Sequence, residues 1–199
     1  MAIMPKSERA APISHKQEAA LLTHSHPVWA ILYVHEARFS KKHPVDTSSL
    51  FQEEAEMTDR EGIFSEFAHT RRLSPEENVQ FGMEISELRQ QILDYIDKKH
   101  INITQLVKNI RKPDEKLDRL FGILNEKAWI LALGNYRLTR SVLYRHYQGF
   151  PREDKQDLAA TGRRELHKAA VHYDPYNTKD GTSAPLPAPR QFSTLAFPM

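Results

Sequence analysis

Residues 114–139 read DEKLDRLFGILNEKAWILALGNYRLT. In the first half, Leu117, Leu120, Phe121 and Leu124 recur at three- and four-residue steps, the period of an amphipathic helix, and Asp114 is a good N-cap for it. In the second half the pattern changes. Trp129 to Leu133 and Tyr136 to Thr139 are runs of β-forming residues on either side of Gly134-Asn135, a pair suited to a tight turn. The stretch therefore predicts a helix followed by a β-hairpin.

Upstream, Ser74-Pro75-Glu76-Glu77 is a strong helix start. Serine caps, proline takes the first helical position, and Glu77 sits where a capping box needs it. The helix should run to about Lys99, with Met83, Ile85, Leu88, Ile92, Leu93 and Ile96 as its apolar stripe and Lys98-Lys99 closing it, as the helix dipole favours. Ile101-Asn102-Ile103 is a short bridge, Thr104 to Ile110 a brief helix, and Arg111-Lys112-Pro113 a break. The order is helix, bridge, short helix, turn, longer helix, hairpin.

That order, over residues 84–145, resembles the winged helix-turn-helix superfamily. Leu120 to Ile130 is similar to the end of the third helix running into the wing, and Tyr136-Arg137-Leu138-Thr139 to the returning wing strand. The resemblance implies a mainly α fold with one small β-hairpin, a third helix that enters the DNA major groove, and a wing that touches the backbone or minor groove. It further implies a non-enzymatic DNA-binding regulator of transcription or replication. The superfamily also contains subunits that bind protein, so an adaptor in a larger DNA-maintenance, defence or secretion complex is the rival expectation.

Carried onto this sequence, the exposed third-helix positions are Glu115, Lys116, Asp118, Arg119 and Gly122. Over residues 114–127 the acids Asp114, Glu115, Asp118 and Glu126 outnumber the bases Lys116, Arg119 and Lys127, a poor match to a phosphate-lined groove. Basic charge flanks the helix instead. Lys108, Arg111 and Lys112 precede it, and Arg137, Arg140 and Arg145 follow, each group without an intervening acid. The expected DNA contacts are Lys108, Arg111, Lys112, Lys116 and Arg119 toward the groove, with Arg137 and Arg140 on the adjacent backbone.

The remainder divides into a polar N-terminus (1–13), an N-terminal helical region (14–73), the winged-helix domain (74–150), a C-terminal helix (151–173) and an extended tail (174–199). Pro27 opens a helix through Val28, Trp29, Ile31, Leu32, Val34, His35 and Phe39. Two further short helices are expected, one with Leu50, Phe51 and Met57, the other with Ile63, Phe64 and Phe67. The tail holds five of the twelve prolines and ends in the apolar Phe192, Leu195 and Phe197, which suit docking on a partner. The flanking helices also suit a homodimer.

Composition narrows the chemistry. No cysteine is present, which removes disulfides, thiol nucleophiles and Cys-ligated metals. The ten histidines fall at no zinc-site spacing, His35-Glu36 is not followed by the second histidine of a zincin, and most should lie at the surface or at helix ends. No glycine-rich phosphate loop or nucleophile elbow occurs, so neither enzyme activity nor a cofactor is expected. The net charge of +2 means that any polyanion surface must come from local clustering. The N-terminus lacks a signal-peptide core and no apolar run is long enough to cross a membrane, so a cytoplasmic location is expected.

Overall fold

Helix starts are where the chain states its structure most plainly. In the computed structural model, Ser74 Oγ accepts from the Glu77 amide while Glu77 returns a bond to the Ser74 amide, a complete capping box. Asp114 caps its helix by accepting from the Leu117 amide, without a return bond, and Pro27 opens its helix at the first position. The structure describes residues 26–50, 70–176, 189 and 191–192. Among them are six helices: α1 (Pro27–Lys42), α2 (Pro75–Lys98), α3 (Ile103–Val107), α4 (Glu115–Gly134), α5 (Arg137–His146) and α6 (Arg152–His172). A single 3-10 turn covers Ser48–Leu50. The short helices expected after Leu50 lie outside the described residues.

The described residues contain no β-strand, which overturns the hairpin and with it the winged-helix expectation. Trp129 to Leu133 continue α4 without interruption, and Arg137 to Thr139 open α5. The physical reason is burial. Helix α4 packs against α1, α2 and α6, and 12 of its 20 residues are buried. A helix surrounded on several sides is apolar all round, so its last turns lose the polar positions that mark helical periodicity. Ala128, Leu131, Ala132 and Leu133 are moreover strong helix formers.

Gly134-Asn135 is a helix end rather than a hairpin turn. The Asn135 amide bonds back to Ala132 and Leu133, and its Nδ2 donates to the Leu131 carbonyl at 2.8 Å and to Asn78 Oδ1 at 2.7 Å. Glycine is needed at 134 for close approach. A Cβ there would lie 2.4 Å from Cγ of the buried Leu73.

Helix α1 belongs to the same core as α4. Phe39 stacks on Phe121 with ring centroids 4.8 Å apart, and Ser40 Oγ accepts from the fully buried Asn125 at 3.0 Å. His43 lies against Gly122 so closely that a Cβ would sit 2.3 Å from its ring. Helix α6 covers the second half of α4, where His167 stacks on Trp129 at 4.3 Å and Glu36 of α1 accepts from Trp129 Nε1 at 3.0 Å. At the end of α6, the buried Arg89 of α2 donates to the carbonyls of Val171 and Tyr173. This places a cation where the helix dipole is negative. Phe192 of the tail packs edge-on to Tyr173 at 5.3 Å and is buried, so this aromatic docks within its own chain.

Most histidines were expected at the surface or at helix ends, but His35 and His167 are core residues. His35 donates from Nε2 to the Leu106 carbonyl at 2.8 Å, tying α1 to α3. Among the described residues His167 Nε2 has no hydrogen-bond partner, and burial pushes its pKa down to about 3. Burial, reinforced by His26, Arg89 and Lys168, pushes His172 down to about 4. These rings are neutral in the folded protein and protonate in the unfolded chain first as pH falls. Their contribution is therefore intact above the unfolded value of about 6.5 and declines toward the folded values.

Two outcomes follow for stability. Gly134→Ala should cost about 1–3 kcal/mol in chemical denaturation, because the added methyl must displace Leu73 or the helix. Lowering the pH from 7 to 5 should cost about 2 kcal/mol through His167 alone. His167→Phe, which keeps a ring on Trp129, should flatten that loss. An acid dependence identical in wild type and variant would contradict this assignment.

Candidate nucleic-acid interface

The expected recognition helix is the centre of the core. Asp118 and Gly122, both expected to be exposed, are buried. Asp118 Oδ2 accepts from Arg38 at 2.7 Å and from Lys42, both on α1, which occupies this side of α4. Arg38 also donates to the Pro113 carbonyl, fixing the turn before α4. A helix so enclosed cannot lie along a major groove. Its exposed part is the first turn, where Glu115, Lys116 and Arg119 face solvent.

The seven expected contact residues fall into two groups. Lys108, Arg111, Lys112, Lys116 and Arg119 gather where α2 ends, α3 lies and α4 begins, and all five are exposed. Arg137 and Arg140 are on α5, not on a wing strand. They lie past the far end of α4, whose 20 residues span about 30 Å.

Two helix ends shape the first group. After α2, the His100 amide bonds to Asp97 and the Ile101 amide to Ile96, with His100 at φ 50°. After α3, the Asn109 amide bonds to Leu106 and the Ile110 amide to Gln105, with Asn109 at φ 55°. Both are Schellman caps, with histidine and asparagine in the left-handed position that glycine usually takes. They turn the chain sharply twice within residues 98–113, the corner between α2 and α4, the stretch that carries Lys98, Lys99, Lys108, Arg111 and Lys112. Residues 98–113 contain these five cations and no acid.

The two ends of the corner are joined across α2 and α4. Tyr95 Oη donates to Asp114 Oδ2 at 2.8 Å, and Lys116 Nζ stands 4.8 Å over the Tyr95 ring. The Asp114 carboxyl sits below its usual range. Burial opposes this, but it is outweighed by the Leu117 amide, the Tyr95 hydroxyl and the nearby Lys99 ammonium. Asp114 is thus engaged in capping and bracing rather than left to neutralise the lysines. Lys98, Lys99 and Tyr95 were not among the expected contacts. The signal for the lysines is the acid-free run itself, in which Lys98-Lys99 also serve to close α2.

The two caps differ in one respect. After α2, Ile101 packs into the core beside Ile96, the apolar contact that usually accompanies this motif. After α3 the equivalent residue, Ile110, is 72% exposed. An isoleucine therefore stands in solvent in the stretch that carries Lys108, Arg111 and Lys112.

Among the described residues, no group of three histidine, aspartate or glutamate side chains is placed to hold a metal ion, and no helix is long and apolar enough to cross a membrane. The left-handed backbone at His100 generates a prediction. His100→Gly should raise stability by about 0.5–1 kcal/mol in chemical denaturation, because glycine adopts this φ without a Cβ penalty. Comparison of the chain with protein-family models, with curated proteins and with solved structures finds no match in any of the three.

Proposed function

We propose that this protein is a non-enzymatic double-stranded DNA-binding protein that contacts the phosphate backbone through the corner between α2 and α4. The observation that carries this reading is the acid-free run 98–113, whose five cations are all exposed and whose chain turns at two tight helix ends. Lys116 and Arg119 extend it onto the first turn of α4. Such a surface supplies sequence-independent attraction that falls with salt as counterions are released. Base reading has less support, because the helix expected to enter the groove is enclosed by α1, α2 and α6. The reading is therefore one of backbone contact, with sequence preference limited to what Lys116 and Arg119 reach.

A protein partner is favoured by a different observation, the exposure of Ile110 in the middle of the same corner. Ordinary surface isoleucines occur singly, but one set in sequence between Lys108 and Arg111-Lys112 suits an acidic partner with an apolar anchor.

Fluorescence anisotropy of a labelled 20-base-pair duplex between about 50 and 200 mM salt separates the two. We expect binding that weakens steeply with salt. In Lys108→Ala/Arg111→Ala/Lys112→Ala the affinity should drop and the log–log salt slope flatten by about 2–3, near 0.9 per lost phosphate contact. Absence of duplex binding at the lowest salt would contradict the DNA reading and leave the acidic-partner reading in place.

A further inference from the structure

The outer face of α2 is exposed along the length of the helix. Glu76, Gln80, Met83 and Glu87, continued by Gln90, Asp94 and Asp97, follow one another at alternating four- and three-residue steps, and each is exposed. They lie on the side of the helix opposite the buried row Asn78, Ile85, Ile92 and Ile96. The exposed row spans about 30 Å. It holds four carboxylates and no lysine or arginine. Asp94 accepts from Gln90 Nε2 at 2.7 Å and Glu76 bonds to the Ser74 hydroxyl, neutral partners that leave both charges uncompensated. Among the described residues no lysine or arginine forms an ion pair with any of the four. The cations of α2 itself are the buried Arg89 and Lys98, and Lys98 opens the basic stretch 98–113. One apolar side chain stands in the row, Met83, which is 52% exposed.

We propose that this face docks on a second copy of the chain, in an antiparallel pair in which the stretch 98–113 of each copy lies on the 76–87 half of the other copy's α2. Charge complementarity within one sequence carries the proposal. The stretch presents five exposed cations and the exposed Ile110. Asp97, Asp114 and Glu115 flank it, and Asp114 is held by the Leu117 amide and the Tyr95 hydroxyl. The α2 face offers the reverse, carboxylates about one exposed methionine, whose flexible side chain adapts to an apolar anchor such as Ile110. Topology sets the direction. The basic stretch follows the C-terminal end of α2, so antiparallel helices bring base onto acid at both ends, whereas parallel helices bring acid onto acid. A two-fold axis makes the contact twice and closes the assembly at two copies. The proposal rests on the acidic-partner reading of the corner and names that partner.

The test is sedimentation equilibrium of the full-length protein without DNA, over a dilution series. Wild type should show a monomer–dimer equilibrium that shifts toward monomer as ionic strength rises from about 0.1 to 1 M, where screening shortens from about 10 to 3 Å. Glu76→Lys/Glu87→Lys and Lys108→Glu/Arg111→Glu should each weaken the dimer tenfold or more, while helix content by circular dichroism stays unchanged. An equimolar mixture of the two variants should dimerise again, because every contact in the mixed pair joins opposite charges. A monomeric wild type at the lowest salt overturns the proposal and leaves the corner to another acidic partner. A dimer lost in the α2 variant but kept in the corner variant overturns the proposal and the acidic-partner reading together. A dimer that neither variant weakens, or a mixture that stays monomeric, overturns the proposed pairing.

Discussion

The rest of the structure depends on the burial of α4. Leu117, Phe121, Leu124, Ala128, Leu131 and Ala132 are all at most 1% exposed, and α1, α2 and α6 each pack against this one helix. Burying a large aliphatic or aromatic side chain contributes roughly 1.5–3 kcal/mol, so this row alone is a major share of the favourable terms. The close approaches at Gly122 and Gly134 let neighbours reach the helix where a methyl would not fit. Among the described residues, Lys108, Arg111 and Lys112 precede the start of this helix and Arg137 and Arg140 follow its end.

Polar groups inside the core fix how the helices register. Asp118 is 2% exposed and held by two cations of α1. An ion pair so placed is weak support for net stability, but an uncompensated buried carboxylate is costly, so the pairing constrains where α1 lies along α4. His35 bonding to the Leu106 carbonyl and Arg38 bonding to the Pro113 carbonyl extend the constraint to α3 and to the turn after it. The loop that carries Lys108, Arg111 and Lys112 is thus anchored from beneath by α1. Tyr95 and Asp114 close it from the other side. A rigid base matters for a phosphate-contacting surface, because the cations then need little ordering on binding.

What the sequence made legible was the set of local signals with their own chemistry. Ser74 with Glu77, Asp114 and Pro27 each name a helix start that stands in the structure as read, and of the α2 stripe Ile85, Ile92 and Ile96 are buried and Leu88 and Leu93 partly so, whereas Met83 is exposed. The C-terminal helix, expected within residues 151–173, spans Arg152–His172. The hairpin was misread because β-propensity is mostly a statement about half-buried surfaces. Trp129, Ile130 and Leu131 carry the same residue types whether a strand or an enclosed helix buries them, and a Gly-Asn pair ends a helix as readily as it turns a hairpin. Tertiary surroundings decided, and one sequence window does not contain them. Burial of His35 and His167 was illegible for the same reason. Of the site, charge was legible and position was not. The acid-free runs are visible in the sequence, but that Arg137 and Arg140 stand apart from Lys108, Arg111 and Lys112 follows from α4 continuing to Gly134.

Backbone chemical shifts and amide exchange over residues 115–146 test that continuity most directly. The account predicts uninterrupted helical shifts from Glu115 to Gly134, the slowest exchange over the buried residues 128–133, and a second helical segment from Arg137 to His146. Strand-type shifts over 129–133 and 136–139, with cross-strand contacts about Gly134-Asn135, would contradict it.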